Sequence, residues 1–182
     1  NSIEFKKRFK RKFNLKAECI YNPLNKDEII QQSKKKSNFN FPNKKLKIIN
    51  IGRFTDQKDQ ITLLKGINII KNDIDFFLYL VGRGVEKKNL ENFIKKNNLQ
   101  NNIKIINFQN NPFNILKQSN LFILSSIYEG LPNVLLESIV LKKYIISSNC
   151  PTGPKEILLN GKGGSLFNPG DYKKLAELIH EY

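Results

Sequence analysis

Leu46 to Gly82 reads LKIINIGRFTDQKDQITLLKGINIIKNDIDFFLYLVG, and its rhythm decides the fold. Two short apolar runs, LKIINIG and DFFLYLVG, bracket DQITLLKGINIIKN, whose apolar residues recur at helical spacing. The second run hardly alternates, which fits a strand buried on both faces. A strand, a helix and a strand in this order predict a parallel pair joined by a crossover. The pattern continues downstream. VEKKNLENFIKKNN, PFNILKQS, LPNVLLESIVLKK and DYKKLAELIHEY read as helices, and GPKEILLN as a helical turn. IKIINF, LFILSS and YIISS read as strands, and GGSLF as a short extended piece. Regular alternation of this kind predicts an α/β fold with a parallel sheet covered by helices on both faces.

Upstream of this stretch the signal is weaker. In NSIEFKKRFKRKFNLK, Phe5, Phe9 and Phe13 recur every fourth residue and share a helix face among basic neighbours. AECIYNPL predicts a short strand ended by Asn22-Pro23. DEIIQQSKKK predicts a short helix with Asp27 at its start, and SNFNFPNKK a linker. The reading therefore divides the chain into a basic N-terminal segment and linker, residues 1–45, and an α/β domain, residues 46–182.

Composition narrows the function. The 182 residues suffice for one domain with a real core, and no apolar run reaches the length of a membrane-spanning helix. Cys19 and Cys150 form neither a disulfide framework nor a metal cluster, which points to a reducing, cytoplasmic setting. Net charge is +15 and uneven: residues 1–47 hold 14 Lys/Arg against 4 Asp/Glu, residues 48–182 hold 17 against 12. The basic third suits membrane headgroups, nucleic acid or phosphorylated substrates, or it is simply a solvated face. No nucleic-acid-binding motif accompanies it.

In a parallel sheet, ligands bind at the carboxyl ends of the strands, where strand order reverses. The loops to read are therefore those just after strands. Gly52-Arg53 follows the first strand, and Lys58 stands at a helix entry. Two cations beside helix-end amides make a diphosphate site. VGRG, Val81 to Gly84, has Lys87 where a dinucleotide fingerprint needs its third glycine, so a tight turn allowing backbone to approach a ligand is the better reading. EGLPNVLLE, Glu129 to Glu137, is the richest loop. Pro132 suits the first turn of a helix, whose start would present the amides of Gly130, Leu131 and Asn133 to an anion or a sugar oxygen. Each Glu can hold a vicinal diol, because a carboxylate accepts two hydrogen bonds at once. For Glu137 the alternatives are a salt bridge with Lys142 or Lys143, or a half-solvated helix face.

The Glu-x7-Glu segment, the GRFTDQKD loop and CPTGPKEIL together resemble the C-terminal, donor-binding domain of glycosyltransferase family 4. The likeness runs from about residue 15 to the end and is strongest over 48–170. It implies a Rossmann-like domain forming one half of a GT-B glycosyltransferase, and retaining, metal-independent transfer from a nucleotide-sugar, a UDP-sugar in the bacterial surface-glycan enzymes it most resembles. It also implies a glycan or lipid-linked acceptor and an enzyme peripheral to the inner face of a bacterial membrane. Carried over residue by residue, Arg53 and Lys58 match the cations on the donor diphosphate. Glu129 matches the acid on the transferred sugar, and Glu137 the acid on the ribose hydroxyls. Gly130, Leu131, Pro132 and Asn133 match the turn that meets sugar or phosphate. Gly52 matches the first phosphate loop, while Gly82 in VGRG and Phe108 in the NFQNN loop match the nucleobase region. The family also has an N-terminal acceptor domain of comparable size, of which only residues 1–22 could be the tail. The expectation is a donor domain that binds nucleotide and transfers little or no sugar by itself.

Two other classes share part of this evidence: a non-catalytic Rossmann-like nucleotide-binding module, and a basic nucleic-acid-binding domain. Asp73-Ile74-Asp75 has the D-x-D form of a metal motif, but it precedes a strand, where a turn and cap explain it. His180 lies on the last helix with no partner acids.

Overall fold

The structure is a computed structural model that describes residues 2–43 and 46–182. Six strands form one sheet: β1 Leu46–Ile51, β2 Phe76–Val81, β3 Ile103–Ile106, β4 Leu121–Leu124, β5 Tyr144–Ser148 and β6 Ser165–Phe167. Their order is β3-β2-β1-β4-β5-β6, and every neighbouring pair is parallel. The helices are α1 Ile3–Phe13, α2 Lys26–Ser33, α3 Gln60–Ile70, α4 Lys87–Lys96, α5 Phe113–Leu116, α6 Asn133–Val140, α7 Pro154–Ile157 and α8 Tyr172–Glu181, with 3-10 turns at Asp56–Lys58 and Leu159–Gly161.

Successive strand residues point to opposite faces, and both faces are covered. Ile48, Leu78, Leu80, Leu121 and Ile123 pack against α3, α4 and α8 through Leu63, Leu64, Ile67, Leu90 and Leu175. Ile49, Tyr79, Val81, Phe122 and Leu124 pack against α5 and α6 through Ile115, Leu116 and Leu135. This double burial is why the strands read as unbroken apolar runs. The expected Rossmann-like α/β sheet with helices on both faces is the observed one.

Three N-terminal expectations need correction. AECIYNPL forms no strand; residues 14–25 are irregular, because the segment pairs with no strand edge and a lone strand leaves its backbone polar groups unpaired. The cap of α2 is Asn25, whose Oδ1 accepts from Glu28 N at 3.1 Å, and Asp27 falls inside the first turn. Residues 37–43 carry no helix or strand, as a linker would, yet Phe39 and Phe41 pack on the second face and Tyr79 Oη donates to Asn40 O at 2.7 Å. That stretch covers the sheet instead of spacing it. Lys44 and Lys45, also read as linker, lie outside the described residues.

Candidate functional site

Strand order reverses between β1 and β4: the chain leaves β1 towards β2 and returns on the other side at β4. The loops after these two strands stand side by side at the carboxyl edge and are stitched together. Ile127 N donates to Gln57 O at 2.8 Å, Gln57 Nε2 to Tyr128 O at 2.9 Å, and Ser125 Oγ to Lys58 O at 2.9 Å. Below them, the buried Asn50 of β1 donates to Ile123 O of β4 at 2.8 Å.

At the centre of this seam, Lys58 Nζ lies 2.5 Å from Glu129 Oε1, and the two side chains are 15% and 7% exposed. Ser126 Oγ donates to the same carboxylate oxygen at 2.6 Å. The Glu129 backbone is fixed as well: its N donates to Pro151 O at 2.7 Å, and its O accepts from Thr152 Oγ1 at 2.8 Å. Two desolvated charges hold this close only when their remaining hydrogen-bond capacity is met, and Ser126 meets part of it. Arg53 is exposed at the rim, with its carbonyl accepting from Gln60 Nε2 at 3.0 Å.

The helix that follows is α6. Pro132 is its N-cap, one residue before the first-turn position read from the sequence, because its ψ of 100° is extended. No side chain caps this end; Leu135 N turns back on Pro132 O at 3.0 Å, and the amides before it in the first turn have no intrahelical acceptor. Leu131 is buried, so only its backbone is available there. Asn133 Oδ1 accepts from Asn22 Nδ2 at 2.8 Å. The turn is held from behind by Gly153. Its φ is +95°, and a Cβ there would stand 2.5 Å from Gly130 O.

Glu137 sits one helical turn into α6, half-buried. Among the described residues no ion pair reaches it: Lys143 Nζ donates instead to the carbonyls of Lys117 and Ser119. Burial pushes the Glu137 carboxyl above the usual Glu range. The cation partners considered from the sequence are therefore not the answer to its burial.

Beside the seam a cavity of about 350 Å³ opens between the ends of β1, β2 and β3, with Gly52, Arg53, Gly82, Arg83, Phe108 and Pro112 in its lining. Phe108 is 55% exposed, and the Arg83 guanidinium lies 5.1 Å from its ring centre. An apolar slot with a cation over an aromatic ring has the chemistry to stack against a planar ring. The glycine in VGRG has a different partner from the one expected. A Cβ on Gly82 would stand 1.9 Å from Gly52 O, so the close approach is to the protein's own backbone, which zips the two loops through Gly52 N to Val81 O and Phe54 N to Arg83 O.

The residues read from the sequence as donor-site residues thus lie at one edge of the sheet. Those that reading missed are Asn50, Gln57, Ser126, Thr152 and Arg83, which hold or border the others. Ser126 had a visible signal, since Ser125-Ser126 close a strand facing the richest loop; Asn50 and Gln57 had none. Asp73 and Asp75 stand at the other edge: Asp73 N closes the turn after α3 on Ile70 O, and Asp75 O accepts from Leu46 N. Among the described residues no group of three or more His, Cys, Asp and Glu side chains is placed to share a metal ion. His180 is exposed in the last turn of α8.

Comparison with known proteins agrees with this architecture. The lipopolysaccharide 1,6-galactosyltransferase of Escherichia coli is 27% identical over 170 residues, 90% of this chain and 45% of its own. A Campylobacter jejuni N-acetylgalactosaminyltransferase, named for a diphospho-undecaprenol-linked acceptor, is 27% identical over 166 residues, 91% of this chain and 41% of its own. The chain spans less than half the length of these curated relatives. Among solved structures, a glycosyltransferase from Rickettsia africae superposes with a TM-score of 0.84 at 21% identity, covering 99% of this chain and 51% of that one. Anabaena HepE in complex with UDP superposes with a TM-score of 0.69 at 22% identity, over 75% of this chain and 38% of its own. The fold is thus that of GT-B glycosyltransferases. The model of one family, the glycosyl transferases group 1, matches residues 31–182, and with the switch-point seam and its two glutamates in place, this chain belongs to that family.

Proposed function

We propose that this chain is the donor-binding, C-terminal half of a family 4 type glycosyltransferase that moves a sugar from UDP to a glycan or lipid-linked acceptor in bacterial surface-polysaccharide or glycoconjugate synthesis. The observation that carries the reading is the Lys58–Glu129 pair, which places a cation and an acid together on the β1–β4 seam beside an uncapped helix start. The uracil enters the slot between Gly82, Arg83 and Phe108. The ribose diol donates to Glu137, which offers both carboxylate oxygens. The diphosphate lies along the start of α6, within reach of Lys58 and Arg53. Supporting the choice of UDP is a structural neighbour of the same fold crystallised with it. Supporting the acceptor class is a relative named for a lipid-diphosphate acceptor.

The chemistry follows from charge. In transfer, the bond from the anomeric carbon to the β-phosphate oxygen breaks and its electron pair stays on the phosphate. Arg53, Lys58 and the α6 amides stabilise that charge, and no metal is required for it. Glu129 contacts the sugar as positive charge develops at its ring. The acceptor hydroxyl attacks on the face the phosphate leaves and passes its proton to the departing β-phosphate oxygen, so configuration is retained. The setting is the inner face of a membrane, where lipid-linked acceptors are held.

Calorimetric titration with UDP, GDP and NAD tests the reading, with Glu137→Ala alongside. UDP alone binding, about tenfold weaker in the variant, is the expected result, since a hydrogen bond to a charged group is worth roughly 1.5–3 kcal/mol. NAD binding would replace the donor-domain reading with a dinucleotide module. Added chelator and Asp73→Ala should leave UDP affinity unchanged.

A further inference from the structure

Phe108 is 55% exposed, so its own burial does not hold it in place. The chain on either side of it is held instead. On one side, Lys87 Nζ donates to Asn107 Oδ1 at 3.0 Å, and Asn107 O accepts from Gln109 Nε2 at 2.8 Å. On the other side, Asn111 Nδ2 donates to Gln32 O of α2 at 3.0 Å, while Asn111 Oδ1 accepts from Phe113 N at 3.2 Å. The ground behind Asn111 is firm. Asn114 Nδ2 donates to Lys36 O at 3.1 Å and Gln118 Nε2 to Phe39 O at 3.2 Å, so residues 111–118 are joined to residues 32–39 at three points. All these residues lie within the stretch that the family model matches. Between the two tethers only Phe108, Gln109 and Asn110 remain. Lys87, the first residue of α4, is the one that stands where a dinucleotide fingerprint needs its third glycine. A glycine there would have no side chain to reach Asn107.

Ordering a loop costs conformational entropy, and a loop already ordered leaves less of that cost to binding. We propose that Lys87 and Asn111 are positioning residues that hold the Phe108 loop at both ends, so that its ring stands pre-set beside Arg83 as a wall for a planar base. The inference rests on the base slot of the function proposed above and says which residues outside the slot give it its shape. Neither side chain needs to touch the nucleotide. Their effect falls on the part of the ligand that stacks and spares the part that Lys58 and Arg53 meet.

The chain has no tryptophan, so Phe108→Trp puts a lone reporter on the loop. Its fluorescence anisotropy, read without any ligand, should fall when Lys87→Met or Asn111→Asp is added. Asn111→Asp keeps the acceptor for Phe113 N and removes only the donor to Gln32 O. With phenylalanine at position 108, each variant should weaken UDP about fivefold, the worth of one hydrogen bond, and leave inorganic pyrophosphate unchanged. With Phe108→Ala already in place, Asn111→Asp should have no further effect on UDP. Anisotropy that neither variant lowers overturns the proposal. So does equal weakening of UDP and pyrophosphate, which would make Asn111 a support of the fold at large, and so does UDP that binds the parent and both variants alike. If the parent binds no UDP while the variants still loosen the reporter, the tethers stand and the donor reading falls.

Discussion

Glu129 and Glu137 lie eight residues apart, on one loop and the helix after it, yet are stabilised by opposite means. Glu129 has an ion-pair partner and a serine, so its burial is compensated inside the protein. Removing one member of such a pair strands the other. Glu129→Ala should therefore cost roughly 3 kcal/mol in urea unfolding, and Lys58→Met in the same background should recover part of it. A null effect of the single variant would mean that Lys58 finds water instead. Glu137 is stabilised by neither. Burial raises its carboxyl above its unfolded value, so folding takes up a proton between the two. Stability from the neutral form is fully present below the unfolded value and is lost as pH rises through the folded one. Glu137→Gln should accordingly raise the thermal midpoint of the chain at neutral pH while weakening UDP about tenfold. UDP affinity of the parent should also rise with pH through this titration, as the diol donates to the ionised form, and the rise should vanish in the variant. A variant that lost both stability and affinity would mark Glu137 as structural.

The elements that carry the site are short and depend on their neighbours. Helix α6 has eight residues and no side-chain cap, too little to persist alone, and Leu135 packed under β4 holds it in place. The same dependence holds across the sheet, where α8 crosses back to lie on α3. Leu175 is wholly buried between them. Leu175→Ala should cost about 3 kcal/mol in urea unfolding with UDP affinity kept, because the cavity it leaves is on the helix layer away from the seam. Loss of UDP binding in that variant would instead show that the α3–α8 layer sets the geometry of Lys58 at the entry to α3. Element order was legible in the sequence because the inner strands β1, β2, β4 and β5 are largely buried on both sides and α3, α4, α6 and α8 on one. The N-terminal elements were less legible: AECIYNPL has the composition of a strand, and only an available sheet edge could have made it one.

For the molecule as a whole, the candidate site straddles both halves of the sheet, with the Phe108 cavity on the β2–β3 side and the glutamates on the β4 side. A ligand spanning it adds its binding energy to the folded state. UDP at a hundred times its dissociation constant should stabilise the chain by about 2.7 kcal/mol, read as a rise in thermal midpoint, with GDP and NAD giving none. Equal shifts from all three nucleotides would reduce the site to a generic phosphate binder. The sequence by itself determined the parallel α/β sheet, because burial is written into the periodicity of apolar residues. It also placed Arg53, Lys58, Glu129 and Glu137 at the carboxyl edge, because strand ends are local features. Only the tertiary structure decided that Lys58 meets Glu129 and that Gly82 makes room for Gly52. Those are contacts between segments up to 71 residues apart, and no local pattern in the chain encodes them.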